Sequence, residues 1–182
     1  MGLAYEDLDD ETRLFMIEEI EIDERSDTLY RSPWLTQGGQ GNWADILREA
    51  ARSGNDDTLA AYLRSSGSIV TTAVRKKAKG FGSTTYKVPY TAADTMACEF
   101  NVFFCRGLCA RAVAQNIPKL EVYRAKEVSE PRPDSLLKIG LLVDPAVILV
   151  DLRKSHGTEP SFGIPPGPNT GISLRIPKSA EN

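Results

Sequence analysis

The chain has 182 residues, of which 41% are hydrophobic and 26% are charged, and its formal net charge at pH 7 is −3. These values are typical of a globular chain with one domain of ordinary size, and they exclude fibrous and low-complexity classes. The longest apolar run, residues 146–150, is far shorter than the roughly 20 residues of a membrane-spanning helix. Because the N-terminus is acidic, unlike a targeting segment, we expect a cytoplasmic protein without membrane contact.

Charge is distributed unevenly along the chain. Residues 1–30 contain eleven acidic residues and two arginines. Residues 75–87 contain five cationic residues and no acidic one. An acidic segment and a basic segment in one chain can join copies of the chain to each other or bind a charged partner. The alternative is two solvated surfaces without a partner.

Helices are predicted over the N-terminal third of the chain. Asp9 or Asp10 can cap a helix that runs to about Glu24, because an acidic first turn suits the positive end of the helix dipole. Apolar residues recur along one side of this helix, and the opposite side is acidic. The side chains expected to face inward are Leu14, Phe15, Ile17, Ile20 and Ile22. A Gly-rich loop is predicted at 31–41 and a helical hairpin at 42–66.

A β-hairpin with a basic connection is predicted next. Residues 68–74 and 83–88 are rich in β-branched side chains and form its two strands. Cationic side chains can bind phosphate groups and an aromatic ring can stack on a base, which favours nucleic acid as the partner. An acidic chain is an unusual nucleic-acid binder, so contact with another protein subunit is the preferred interpretation. The predicted contact residues are Arg75, Lys76, Lys77, Lys79, Phe81 and Lys87.

Residues 91–116 predict a central buried helix that contains all three cysteines. Cys98, Cys105 and Cys109 are spaced by seven and four residues and therefore share one helical face. A zinc site would need further ligands from another element, and cysteine without a metal or disulfide is often buried, so we expect core thiols. Gly107 lies inside the helical pattern and is expected to let another element approach closely.

Cationic side chains near a proline-stiffened turn predict a candidate anion site. The backbone amides of the nearby Gly-rich loop, residues 167–171, can form a concavity that binds a phosphate or carboxylate. The residues of this candidate site are Arg124, Lys126, Arg132 and Asn169. In the alternative interpretation, which is the preferred one, the two arginines pair with acidic residues of the same turn, Glu127 or Asp134, and only stiffen it.

The sequence contains no catalytic pattern. Its one histidine, His156, precedes a glycine that ends a predicted helix, where histidine commonly serves the helix C-terminus. No GxSxG, HExxH or phosphate-loop pattern occurs. We therefore expect a protein that is not an enzyme and that needs no cofactor and no metal ion.

Together these elements predict an α+β fold, in which a small, mainly antiparallel sheet packs on one long central helix with N-terminal helices flanking it. Further strands at 120–128 and 172–176 are expected to join the hairpin in this sheet, and a helix is expected from Pro145 to about Lys154. The predicted regions are an N-terminal helical region, 1–66, and an α+β core with a Pro/Gly-rich C-terminal segment, 67–182.

The C-terminal half contains, in this order, the segments EFNVFFCRGLCARAV (99–113), LEVYRAKEVSEPRPDS (120–135) and GIPPGPNTGIS (163–173). Taken together, these segments resemble uncharacterised proteins of bacterial and prophage genomes. The resemblance supplies no activity and no site residues. It implies a mobile-element or virion context.

The sequence therefore predicts a non-catalytic structural or assembly protein of a phage or phage-like particle. Its expected partners are copies of itself or a larger shell or tail component, in the producing cell or in the virion. The first alternative is a nucleic-acid-binding accessory protein that uses the basic hairpin, 75–87. The second is a small enzyme or binder that acts on an anionic ligand.

Overall fold

The computed structural model describes residues 2–76, 82–165, 167 and 170–178. The helices of this part of the chain are α1 (Asp10–Arg25), α2 (Gln37–Gly41), α3 (Trp43–Ser53), α4 (Asp56–Ser65), α5 (Ala92–Ala114), α6 (Pro133–Leu136) and α7 (Pro145–Leu152). Its strands are β1 (Thr72–Lys76), β2 (Ser83–Lys87), β3 (Leu120–Arg124), β4 (Leu142–Val143) and β5 (Ile172–Arg175). The predicted α+β class, with one long central helix, is confirmed.

Helix α5, with 23 residues, occupies the centre of the fold. It packs against α1, α4, α7 and β5, so most of its circumference is buried. A Cβ atom built on Gly107 would lie 2.7 Å from both the backbone nitrogen and the Cγ atom of Met16. The expected close approach at Gly107 is therefore confirmed, and the neighbouring element is α1. Cys105 and Cys109 are fully buried, as expected for core thiols.

Helix α1 turns a different face to the core from the one predicted. Leu14 is 64% exposed and Ile22 is also exposed, whereas Glu19 and Asp23 are buried. The prediction followed the apolar residues alone, but the guanidinium group of Arg106 on α5 donates hydrogen bonds to both buried carboxylates. The predicted inward face is therefore wrong at Leu14 and Ile22.

The strands form two sheets, whereas a single sheet was predicted. One sheet is antiparallel with the order β4-β3-β5, and β1 pairs only with β2 in a separate antiparallel hairpin. The predicted first strand begins late because residues 68–70 bond to a different segment. Thr36 N donates to Ser68 O at 2.8 Å, and Val70 N donates to Trp34 O at 2.9 Å. These bonds place the base of the hairpin beside residues 34–36.

The three-stranded sheet is joined to α5 by a buried polar cluster. Asn101 Nδ2 donates to Ile172 O at 2.9 Å, and Ser173 Oγ donates to Asn101 Oδ1 at 2.7 Å. Strand β3 ends at Arg124, earlier than predicted, because the next two backbone amides both donate to Gly171 O. The two hydrogen bonds of Asn101 therefore fix the sheet to α5 through β5.

The N-terminal segment before α1 also contacts this sheet. Ala4 N donates to Ala125 O at 2.8 Å, and Tyr123 Oη donates to Ala4 O at 2.6 Å. The main hydrophobic cluster contains side chains from both predicted regions of the chain, such as Met16 of residues 1–66 and Leu174 of residues 67–182.

Candidate functional site

One complete face of the β1–β2 hairpin is exposed. Side chains alternate across each strand, so every second residue of β1 shares this face with every second residue of β2. All six side chains are exposed, and Val74 is 63% exposed at the centre. We call this surface the outer hairpin face, and it consists of Thr72, Val74, Lys76, Ser83, Thr85 and Lys87. It presents two ammonium groups and no carboxylate.

The opposite face of the hairpin is anchored to the rest of the protein. Trp34 Nε1 donates to Tyr86 Oη at 2.8 Å, and the Tyr86 ring packs near Ala73 and Val88. The Arg75 guanidinium carbon lies 5.4 Å from the centroid of the same ring, within the range of a cation–π contact. This anchoring fixes the direction in which the outer hairpin face points.

The structure separates the predicted contact residues. Lys76 and Lys87 lie on the outer hairpin face, whereas Arg75 lies on the anchored face against a tyrosine ring. The predicted contact residues outside the described part of the chain are Lys77, Lys79 and Phe81. Residues 58–93 contain six cationic residues and no acidic residue, so the hairpin region carries positive charge only.

Helix α1 exposes a stripe that is both acidic and apolar. Asp10, Leu14, Glu18 and Ile22 follow each other at intervals of four residues, and all four are exposed. Neither Asp10 nor Glu18 forms an ion pair with any residue that the structure describes. We call this surface the α1 stripe. Its carboxylates flank Leu14, just as the two lysines of the outer hairpin face flank Val74.

The candidate anion site is only partly assembled. Lys126 and Arg132 line one cavity together with residues of the Gly-rich loop, while Arg124 instead donates to Thr170 O at 3.2 Å. Asn169 lies outside the described residues. The alternative interpretation, in which the arginines pair with acidic residues of the turn, is wrong, since neither arginine forms an ion pair with a described acidic residue.

A buried ion network joins α1, α5 and the segment after α7. Arg106, with a side chain only 2% exposed, donates to Asp23 Oδ2 at 2.6 Å and to Glu19 Oε2 at 3.0 Å. Arg153 donates to the other oxygen of Glu19 at 2.5 Å. His156 Nδ1 lies 3.4 Å from Asp23 Oδ2, so this histidine faces a carboxylate and not, as predicted, a helix C-terminus. The two guanidinium groups balance the two carboxylates, which a buried network requires.

A cavity of about 840 Å³ lies beside this network. Its lining includes Asp23, Arg106 and His156 from the network, and Tyr30, Ser32 and Glu99 from the neighbouring segments. Among the described lining residues, carboxylates outnumber guanidinium and ammonium groups by eight to three. The cavity is therefore predominantly acidic, and its volume is typical of a small-molecule site.

Glu99, which is partly buried, differs from the buried carboxylates of this region, because its carboxylate forms no hydrogen bond and no ion pair with any described residue. Burial raises the pKa of Glu99 from 4.5 to about 7; Asp23 acts in the same direction and Arg106 in the opposite direction. Burial, helped by the nearby Glu99 carboxylate, also raises the pKa of Tyr30. Sequence reasoning missed Glu99, and the available signal was its spacing of seven residues from Arg106, which places both on one helical face.

The two buried cysteine thiols of α5, Cys105 and Cys109, are poor nucleophiles in this environment. Burial raises the pKa of Cys105 to about 12 and raises that of Cys109 well above its ordinary value. Cys98 lines the cavity, with its Sγ atom 3.4 Å from Asp94 O. Within the described ranges, no group of His, Cys, Asp and Glu side chains is arranged to hold a metal ion.

The chain matches no known protein-family model, no curated protein and no solved structure. None of the helices that the structure describes is long and apolar enough to cross a membrane. Three features therefore remain for a functional interpretation: the outer hairpin face, the α1 stripe and the acidic cavity.

Proposed function

We propose that this protein is a non-catalytic assembly protein, in which the outer hairpin face of one copy binds the α1 stripe of the next copy. The observation that carries the proposal is the outer hairpin face itself. It is exposed at all six positions, it is fixed in direction by the anchored opposite face, and it has no counter-charge within residues 58–93.

Complementary charge supports the choice of a second copy as the partner. Lys76 and Lys87 of the hairpin match Asp10 and Glu18 of the α1 stripe in number and in opposite sign. Each pair of charges flanks one exposed aliphatic side chain, so both surfaces combine an apolar centre with charged edges. Such complementarity steers association and fixes the register of an interface.

The two surfaces are different parts of the same chain, so the proposed contact is head-to-tail. A head-to-tail contact that closes on itself gives a ring, and one that does not close gives a filament. Both are common forms of repeated assembly in phage-like particles, the context that the sequence resemblance implies. A larger shell or tail component with an acidic surface would bind the same outer hairpin face.

Nucleic acid is the second candidate partner for this surface. The absence of carboxylates over residues 58–93 suits a phosphate backbone as well as an acidic protein surface. The acidic net charge of the whole chain and the matching α1 stripe favour the protein partner. The same hairpin variants separate the two candidates.

The test is a charge exchange measured by sedimentation velocity and light scattering over a range of protein concentrations. We expect the natural chain to associate at high concentration and to dissociate as salt is raised, because salt screens exposed charges. The double variant Lys76→Glu/Lys87→Glu and the double variant Asp10→Lys/Glu18→Lys should each remain monomeric. Mixing the two variants should restore association, because each hairpin then meets a stripe of opposite charge.

The matched control is Lys119→Glu/Lys154→Glu, which makes the same change in charge at exposed positions elsewhere and should leave association unchanged. Self-assembly is refuted if the natural chain stays monomeric at every concentration, or if the mixture of variants stays monomeric. A natural chain that binds single-stranded DNA, with affinity that falls steeply with salt and is lost in Lys76→Glu/Lys87→Glu, would establish the second candidate instead.

A further inference from the structure

The acidic cavity contains a carboxylate that the fold leaves without a partner. Glu19 and Asp23 each receive hydrogen bonds from Arg106, whereas the carboxylate of Glu99 has neither a hydrogen bond nor an ion pair with a described residue. Glu99 is partly buried and lines the cavity together with Tyr30 and Ser32. A carboxylate removed from bulk water without a counter-charge is costly, so such a group is usually completed by a bound cation.

The charges around Glu99 do not balance. Arg106 and Arg153 are matched by Glu19 and Asp23, so an ionised Glu99 leaves one negative charge in excess. The remaining cationic side chains of the lining, Lys126 and Arg132, are exposed residues of the segment after β3. His156 faces Asp23, the carboxylate with which Arg106 already pairs. The local deficit is therefore one positive charge.

We propose that this cavity binds a small organic cation, an ammonium, amidinium or guanidinium compound, whose charged group pairs with Glu99. A metal ion is the less suitable occupant, because the described residues offer no set of ligands arranged for one. A nitrogen cation needs only one carboxylate and neighbouring hydrogen-bond acceptors, and the hydroxyl groups of Tyr30 and Ser32 supply these. This site is separate from both assembly surfaces, so it does not depend on the proposed assembly.

Binding should depend on pH. Glu99 must be ionised to pair with the cation, and burial raises the pKa of this carboxyl to about 7. The charged groups that act on Glu99 are Asp23 of α1 and Arg106 of α5, and Tyr30 of the segment after α1 lies near it. Ser32 and His156 line the same cavity from the segments after α1 and α7. Because protonation of Glu99 removes the charge that pairs with the cation, affinity for a cation should fall as the pH falls below about 7.

The experiment compares benzamidine with benzamide, its uncharged near-isostere, by nuclear magnetic resonance titration of the full ¹⁵N-labelled chain at constant ionic strength. We expect benzamidine to shift the amide signals of Glu99 and Tyr30 and the indole signal of Trp43, which also lines the cavity. Benzamide should bind at least tenfold more weakly. The affinity for benzamidine should fall by about fivefold between pH 7 and pH 6, because the ionised fraction of a carboxyl with a pKa of about 7 falls by that factor.

Two variants complete the test. Glu99→Gln keeps the size of the side chain and removes its charge, and it should weaken benzamidine binding at least tenfold. Glu18→Gln removes a carboxylate from the α1 stripe and should leave the affinity unchanged. The proposal is overturned by equal binding of benzamide and benzamidine, by unchanged binding in Glu99→Gln, or by the absence of saturable shifts at tens of millimolar benzamidine. The comparison of the two compounds on the natural chain does not require any variant to fold.

Discussion

The molecule places positive charge in two opposite settings. On the outer hairpin face, Lys76 and Lys87 are exposed and have no carboxylate within residues 58–93. Between α1 and α5, Arg106 is buried and held by two carboxylates. Removing one partner of a buried pair leaves an uncompensated charge, whereas an exposed lysine is solvated and contributes little to stability. The comparison separates the charges that maintain the fold from those that are available to a partner.

The largest effect on stability is expected when a cationic side chain is removed from the buried setting. Removal of a cationic side chain from the exposed setting serves as the comparison. Arg106→Met leaves the buried carboxylates of Glu19 and Asp23 without their shared cation, so we expect a loss of about 3–5 kcal/mol in the free energy of unfolding. Lys76→Met makes the same chemical change on the outer hairpin face and should alter stability by less than about 0.5 kcal/mol. Urea denaturation of the two variants measures both values. Equal losses in the two variants would remove the distinction between the settings.

The contact that brings α1 close to Arg106 can be tested at Gly107. An alanine Cβ there would lie 2.7 Å from the Met16 backbone nitrogen, so α1 must shift away from α5. Overpacking of this kind costs about 1–3 kcal/mol, and the higher helix propensity of alanine offsets about 1 kcal/mol of it. We therefore expect Gly107→Ala to lower the free energy of unfolding by up to about 2 kcal/mol, again measured by urea denaturation.

Gly38 provides the matched control for this substitution. It also lies in a helix, α2, but a Cβ atom there meets no other atom within 4 Å. Gly38→Ala should therefore keep or slightly raise stability. If Gly107→Ala were as stable as Gly38→Ala, α1 could shift away from α5 at no cost in stability. The close approach of the two helices would then not constrain the buried ion network between them.

A comparison of local contacts with contacts between distant parts of the chain explains which features the sequence could predict. The central helix, the role of Gly107 and the second hairpin strand follow from local patterns of apolar residues, glycine and β-branched side chains, and these depend on near neighbours in the chain. The inward face of α1 could not be predicted in this way, because Glu19 is buried by an arginine 87 positions later in the chain. Apolar periodicity contains no information about such a partner.

Long-range backbone pairing limited the prediction of the sheet in a similar way. Residues 68–70 have strand-like side chains, yet their backbone bonds to residues 34–36, and nothing local in either segment signals this pairing. The cavity at Glu99 depends on segments from several parts of the chain that meet only in the folded protein. The exposure of Lys76 and Lys87 needs no partner within the fold, whereas the contact of Arg75 with the Tyr86 ring depends on the pairing of β1 with β2.

A modest effect of opposite sign is expected at Glu99, which lies between the two settings because its carboxylate is partly buried but has no ion-pair partner among the described residues. Burial raises the pKa of Glu99 from 4.5 to about 7, so between these pH values the folded chain holds a proton that the unfolded chain has released. The contribution of Glu99 to the free energy of unfolding therefore falls as the pH rises from 4.5 to 7 and stays low above 7. Glu99→Gln removes this loss of stability, because a glutamine side chain does not ionise.

We therefore expect Glu99→Gln to be more stable than the natural chain by about 1 kcal/mol at pH 8, a value reduced from the full shift because the side chain is partly exposed to solvent. The difference should narrow as the pH falls and disappear below about pH 4.5, the pKa of the carboxyl in the unfolded chain. Denaturation of both chains at each pH measures it, and the other titrating groups cancel in the comparison. A variant that is less stable at pH 8 would show that Glu99 maintains the fold in the same way as Glu19 and Asp23. A more stable variant would instead identify a carboxylate that is retained at a cost to stability, as a binding group is.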